Sequence, residues 1–343
     1  MNDNDIRHPH EEGAHPAQLH RPADGVLQAR IPLPYSLRWV NSYLLKGPEG
    51  YTIVDPGLGT EEAEACWAAL LGELDGPVAR IVLTHYHPDH LGMAGRLQRQ
   101  LDIPVLISKT GWEHALRLWG PGQRMTEAMM ALFAEHGVPA PIVASTEAHM
   151  DGFLPLVAPL PEVEFLSDGE QTAFGGRTWD VLETAGHAPG HLSFYHAASG
   201  LMLAGDHVLP QISPNVSYMP GSDPQPLHSY LEGLARLRSC QVELALPGHR
   251  HPFRHYAARI DELLRHHEER LAAIAALLAE EARTAYDVCV RCFGSPERLT
   301  IHQLRFAMGE ALAHLLELER RGQVRRTPPS ASSPIRFHSA DTM

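Results

Sequence analysis

Short runs of β-branched and aliphatic residues alternate with amphipathic stretches along the first 250 positions, so strand and helix periods can be told apart. Val26 to Pro34 and Asn41 to Lys46 read as strands, and Pro48-Glu49-Gly50 turns the chain into a third, Tyr51 to Val54, which ends at Asp55. Glu61 to Leu74 places Ala, Leu and Trp at helical spacing. Ala79 to Leu83 then reads as a buried strand, Leu91 to Leu101 as a helix and Pro104 to Ser108 as a strand. A second half follows, with strands Glu162 to Phe165, Thr178 to Thr184, Leu201 to Ala204 and Val242 to Ala245, and a helix Leu227 to Leu237 before the last of them. This alternation predicts an α/β layer fold.

Two regions depart from it. Residues 112–160 carry helical patterns at Thr126 to His136 and Ser145 to Phe153 between Pro- and Gly-containing joints; an excursion of this length predicts a cap over a site. Arg254 to Arg283 spaces Ile260, Leu263, Leu264, His267, Leu271, Ile274 and Leu278 along one stripe and reads as a connecting helix. Helical segments Thr284 to Phe293 and Thr300 to Arg321 and extended pieces Gln323 to Arg326 and Ile335 to His338 complete the chain. The expected division is a disordered tail over 1–22, a main domain over 23–255, a connector over 256–283 and a small domain over 284–343.

Composition narrows the classes. At 343 residues and 44% hydrophobic, the chain can bury two cores. A net charge of −13 disfavours nucleic acid as a partner. No stretch reaches the ~18 apolar residues of a membrane span, and Met1 to Gly13 lacks a basic segment followed by an apolar one, so a cytoplasmic protein without membrane association is expected. Of four cysteines, Cys289 and Cys292 form C-x-x-C on a helical pattern with no second pair nearby, which reads as packing. His8, His10, His15 and His20 fall in the tail; His266 and His267, beside Glu268 and Glu269, read as a solvated face.

The chemistry concentrates after the strand Ala79 to Leu83, where Thr84-His85-Tyr86-His87-Pro88-Asp89-His90 sets three imidazoles and a carboxylate within six positions. Such spacing supplies half of a two-metal site. Thr184-Ala185-Gly186-His187, Ala204-Gly205-Asp206 and Leu246-Pro247-Gly248-His249 each follow an apolar run and offer the other half.

The order Asp55, H-x-H-x-D-H, His187, Asp206, His249 resembles the metallo-β-lactamase superfamily of metallohydrolases, over roughly residues 25 to 255. The resemblance implies a four-layer αββα sandwich. It assigns His85, His87 and His187 to one metal ion, Asp89, His90 and His249 to a second, and Asp206 as bridge, with Asp89 and Asp206 also in catalytic roles. Two divalent ions are implied, zinc first, with iron or manganese using the same donors. Asp55 and Thr84 are expected to orient ligand imidazoles, and His191 either does likewise or is a satisfied structural histidine. The C-terminal pattern resembles the small winged-helix module of some superfamily members.

The function implied is hydrolysis by a hydroxide shared between two ions, on a small-molecule thioester, ester or lactone. Phosphodiester or RNA hydrolysis is the competing reading. From Arg283 to Arg326 stand eight arginines against five acidic residues, a modest local excess, and only 43 positions separate Asp206 from His249, too few for a large inserted nucleic-acid domain. A non-catalytic ligand-sensing protein is the alternative from another class. The apolar stripe Leu304, Met308, Ala311, Leu315 and Leu318 calls for a partner surface, by packing or by homodimerisation.

Overall fold

The two halves of the strand pattern become two facing sheets. Among the residues that the computed structural model describes (18–122, 125–327 and 333–341), the first sheet runs in chain order: β1 (His20–Ala23), β2 (Val26–Pro32), β3 (Trp39–Gly47), β4 (Gly50–Val54), β5 (Val78–Val82), β6 (Val105–Ser108) and β7 (Val163–Leu166). Pairing is antiparallel as far as β4 and parallel from β4 to β7. The second sheet holds β8 (Gln171–Phe174), β9 (Arg177–Glu183), β10 (Leu192–His196), β11 (Leu201–Gly205) and β12 (Leu244–Pro247) in reverse order, parallel only between β11 and β12.

Strands buried on both faces explain why they read as continuous apolar runs. Tyr43, Leu45, Val54, Val82 and Leu106 face Trp179, Val181, Phe194 and Leu203 between the sheets. Their strand neighbours Leu44, Ile53, Ile81, Val105 and Met202 point the opposite way, into the core beneath the helices. Trp179 is fully buried and donates from Nε1 to the Phe174 carbonyl. The outer layers are α1 (Glu61–Glu73), α2 (Pro88–Leu91), α3 (Ala94–Leu101) and α4 (Lys109–Trp119), then α5 (Met125–Glu135), α6 (Ala140–Asp151) and α7 (Leu154–Val157), and α8 (Pro226–Leu237) and α9 (Tyr256–Glu280) beside the second sheet. The four-layer αββα arrangement expected from the sequence is present.

Several elements escape the sequence pattern. β1 begins at His20, inside the segment expected to be a disordered tail, because residues 20–23 pair with β2; residues 1–17 lie outside the described residues. β10 is marked by no apolar run, since Ser193, Tyr195 and His196 interrupt it, yet Leu192 and Phe194 fill the inter-sheet core. Helix α4 starts three residues before the expected excursion, with Ser108 Oγ accepting from the Gly111 N–H at 2.9 Å.

The C-terminal segment is not set apart from the rest. After β13 (Arg283–Thr284) come α10 (Ala285–Phe293), α11 (Ile301–Arg320), β14 (Val324–Arg326) and β15 (Arg336–Ser339), and the three strands form a small sheet in the order β13-β15-β14. From Ala307 to Leu318 every residue of α11 is buried, so the helix is enclosed on all sides, packed by α6, α8, α9, α10 and β14. The stripe Leu304, Met308, Ala311, Leu315 and Leu318 therefore finds its partner surface within this chain. His267, expected on a solvated face, is fully buried against His314, with Nδ1 3.2 Å from His314 Nε2.

Candidate metal centre

The site forms where strands of both sheets end on one edge. β4 delivers Asp55, β5 leads into Thr84, His85 and His87, and α2 carries Asp89 and His90. From the second sheet, the loop after β9 brings His187, the end of β11 brings Asp206 and the end of β12 brings His249. All seven side chains expected to bind metal meet there. Three groups have ligand atoms lying within 4.8 Å of one another: His85 with His87 and His187, His85 with His90 and Asp206, and Asp89 with His90 and His249.

Each imidazole except His87 is held from behind by its Nδ1. Thr84 donates from Oγ1 to Asp55 Oδ2 at 2.7 Å, which leaves that hydroxyl to accept from His85 Nδ1–H at 2.9 Å. His90 Nδ1–H donates to Asp55 Oδ2 at 2.8 Å, His187 Nδ1–H to the Asn215 carbonyl at 2.7 Å and His249 Nδ1–H to the Trp39 carbonyl at 3.1 Å. Donation at Nδ1 orients these four rings and leaves their Nε2 atoms aimed inward. Asp55 carries this role in a left-handed backbone conformation (φ 55°), with its Oδ1 also accepting from the Thr84 N–H at 2.8 Å.

Asp206 is the central group. Its Oδ2 lies 3.3 Å from His249 Nε2, 3.6 Å from His90 Nε2 and 3.8 Å from His187 Nε2, so one oxygen faces donors of both halves. His191 does not touch a ligand imidazole through a hydrogen bond; its Nε2 accepts the Asp206 backbone N–H at 3.1 Å while Nδ1 meets Thr184 Oγ1 at 2.8 Å, placing β11's end. Gly248 allows the closest approach: a Cβ there would stand 2.2 Å from Asp206 Oδ1.

Charge is divided across the site. Burial holds His85 and His87 well below the ordinary imidazole range, with neighbouring imidazoles adding to the effect, and burial also lowers His187. Burial acts in the same direction on His249 and His90, but the carboxylates around them prevail: Asp206 and Asp89 hold His249 up to about 10, and Asp206, Asp55 and Asp89 hold His90 well above its usual value. Asp206 and Asp89 are correspondingly low despite burial, because His249 and His90 face them.

The donor set fits two divalent cations. His85 Nε2 is 3.3 Å from His187 Nε2, and since both rings donate from Nδ1, two bare nitrogen lone pairs at that distance repel unless a cation lies between them; His87 Nδ1 lies 3.0 Å from the same His85 Nε2. Nitrogens on a tetrahedral zinc with bonds of about 2.0–2.1 Å stand ~3.3 Å apart. His90 Nε2 and Asp206 Oδ1 are buried without a hydrogen-bond partner among the described residues, as ligand atoms would be.

A cavity of ≈ 360 Å³ opens over this centre. Leu33, Leu37, Leu118, Trp119, Met150 and Phe153 line it, and the last four come from the excursion over 112–160. Beside them α11 adds His302, Arg305, Phe306 and Glu310, a contribution that sequence reasoning misses. Tyr35 stacks on His302 at 4.6 Å between ring centroids and 2° between planes. Also missed is Asn41, fully buried in β3, whose Nδ2 donates to the carbonyls of Pro247 at 2.9 Å and Arg250 at 2.8 Å and so fixes the loop of His249. A polar residue within an apolar strand was its only signal. The carbonyls of Trp39 and Asn215 have none, since any residue type supplies one.

Comparison with known proteins agrees with this geometry. A family model described as the metallo-beta-lactamase superfamily matches residues 37–249. One described as a metallo-beta-lactamase-like C-terminal domain matches 271–340, overlapping the end of the expected connector and most of the 284–343 segment, and does not itself specify a winged helix. The probable metallo-hydrolase YqjP of Bacillus subtilis (strain 168) is 27% identical over 303 residues, 86% of this chain and 92% of that protein. The crystal structure of a metallo-beta-lactamase family protein from Thermus thermophilus is similar with TM-score 0.81 at 34% identity, covering 92% of this chain and 99% of that one. A beta-lactamase domain protein from Burkholderia ambifaria gives TM-score 0.86 at 32% identity, with 97% of each chain covered. More distant are the hydroxyacylglutathione hydrolase GloC of Haemophilus influenzae, 26% identical over 157 residues (45% of this chain, 59% of that protein), and the atrochrysone carboxyl ACP thioesterase of Aspergillus fumigatus, 22% identical over 213 residues (62% and 51%). With site order, sheet topology and both family matches in agreement, the chain belongs to the metallo-beta-lactamase superfamily.

Proposed function

We propose that this metallo-hydrolase cleaves a thioester, or a comparably activated ester or lactone, of a small molecule. Its two divalent ions would be held by His85, His87 and His187 on one side and by Asp89, His90 and His249 on the other, with Asp206 between. Such ions polarise a carbonyl oxygen and make water acidic enough to supply the nucleophile at neutral pH. The chain's part is to hold the ligand tautomers through Asp55, Thr84, Trp39 and Asn215, and to exclude bulk water with Trp119 and Phe153.

The observation that carries the reading is the absence of a free carboxylic acid on the cavity wall among the described residues. Besides Asp89 and Asp206, the carboxylate lining the cavity is Glu310, and both its oxygens are engaged, Oε1 by Arg270 at 2.7 Å and Oε2 by Asn215 at 3.0 Å. With no carboxylic acid free to protonate it, a leaving group that departs readily as an anion is favoured. A thiol, with a pKa near ~8.5, does so; an alkoxide does not. The two distant relatives named for acyl-thiol substrates support the same class.

Turnover of a panel of thioesters, activated esters, a lactone, a cyclic phosphodiester and single-stranded RNA tests the proposal. Thioesters should lead, with activity lost on chelation and regained with metal. Faster cleavage of the phosphodiester or the RNA would replace the proposal, and no turnover of any member by metal-loaded protein would remove it.

A further inference from the structure

Arg305 stands on α11 in the wall of the cavity that contains His87, Asp89, Asp206 and His249. Arginines that leave water are normally paired. Elsewhere around α11 that rule holds: Arg270 meets Glu310 at 2.7 Å and Arg321 meets Glu268 at 2.8 Å. Arg305 is different. Among the described residues it has no hydrogen bond or ion pair, and its Nε is buried without a partner. The Phe306 ring lies 3.9 Å from Cζ and covers the guanidinium's face, but a ring face leaves the in-plane N–H donors unfilled.

No carboxylate of the cavity is available to fill them. Glu310 is engaged by Arg270 and Asn215, while Asp89 and Asp206 face His90 and His249. Burial lowers Arg305 to about 10, with Asp89 acting against the shift, so it is cationic at neutral pH. The planar fork of a guanidinium matches two oxygens of a carboxylate or phosphate, and an apolar surround strengthens that pairing.

We infer that Arg305 anchors an anionic oxygen group of the substrate, so that the molecule hydrolysed carries a carboxylate or phosphate away from its scissile acyl carbon. This inference rests on the proposed acyl hydrolysis. A carboxylate would sit on the acyl part, a phosphate on the thiol part. In either case the anchor and the metal centre hold two ends of one molecule, which restricts its orientation.

The test uses full-length, metal-loaded protein and three thioesters: pentanoyl-N-acetylcysteamine as the neutral reference, glutaryl-N-acetylcysteamine with a terminal carboxylate, and pentanoyl-coenzyme A with phosphates on the thiol. In the native protein, kcat/KM for one of the anionic substrates should exceed the reference by about tenfold or more. That ratio should approach one in Arg305→Gln and be partly retained in Arg305→Lys, which keeps charge without the fork. The preferred arm identifies the anion's source. Equal handling of all three, or a preference unchanged in Arg305→Gln, overturns the inference. If none of the thioesters turns over, the hydrolysis reading fails first, and calorimetric titration with glutarate and with inorganic phosphate then decides the anchor. At least one should bind the native protein about tenfold more tightly than Arg305→Gln, whereas equal affinities for both would overturn it.

Discussion

His187 and Glu310, on opposite sides of the expected domain boundary, are joined through a single residue, Asn215. Its backbone carbonyl accepts from His187 Nδ1–H at 2.7 Å, and its Nδ2 donates to Glu310 Oε2 at 3.0 Å and to the Phe306 carbonyl at 3.2 Å. The C-terminal helix thus positions a metal-site imidazole. Asn215→Ala removes the tether to α11 and frees the carbonyl to shift. Metal affinity should fall by about 10–100-fold, as for loss of other groups that orient ligands. Chelator competition measures this; an unchanged affinity would show that the tether is immaterial.

Asp206 has a stronger claim. Because its Oδ2 faces His249, His90 and His187 together, Asp206→Ala separates the two halves of the centre and leaves His90 and His249 facing each other without that carboxylate. Turnover should drop by at least ~10³-fold, with lower metal content. A variant with normal rate and full metal would rule out its central role.

A different measurement addresses stability. His314 Nδ1–H donates to the Glu310 carbonyl at 2.8 Å, so its Nε2 accepts from His267 at 3.2 Å, and the pair is buried between α9 and α11. Burial, with His314 adding to it, takes His267 to about 2; burial takes His314 to about 4. In the unfolded chain both titrate near ~6.5. Protons therefore bind preferentially to the unfolded state below that value. The stability these groups permit is whole above pH ~6.5 and declines as pH falls, until pH reaches about 4 for His314 and about 2 for His267. Each contributes a slope of up to ~1.4 kcal/mol per pH unit. Denaturant melts at pH 7 and pH 5 should show a smaller loss for His314→Gln than for the native chain; identical losses would contradict the protonation account.

The sequence shows the site better than it shows what surrounds it. His85, His87, Asp89, His90, His187, Asp206 and His249 are legible because metal chemistry restricts residue type and strand ends restrict place. Asp55 and Thr84 follow from the same context. The carbonyls of Trp39 and Asn215 are invisible, since an orienting carbonyl requires only a backbone position. Arg305 and His302 lie some 50 residues beyond His249 on a helix whose stripe reads simply as a packing face. Only the fold shows that the first half of that helix, from His302 to Glu310, reaches the cavity. The surrounding helices hide β10 and α4 for the converse reason: local sequence is weakly patterned there and tertiary packing sets the structure.

Hydrolysis of the proposed kind depends on a centre built for two ions. Elemental analysis of the full-length protein after reconstitution and removal of loosely held metal measures that directly. It should give close to two equivalents of zinc, iron or manganese per chain. Protein that emerges free of metal, or with one equivalent at saturation, would contradict the two-ion centre and the hydrolysis derived from it.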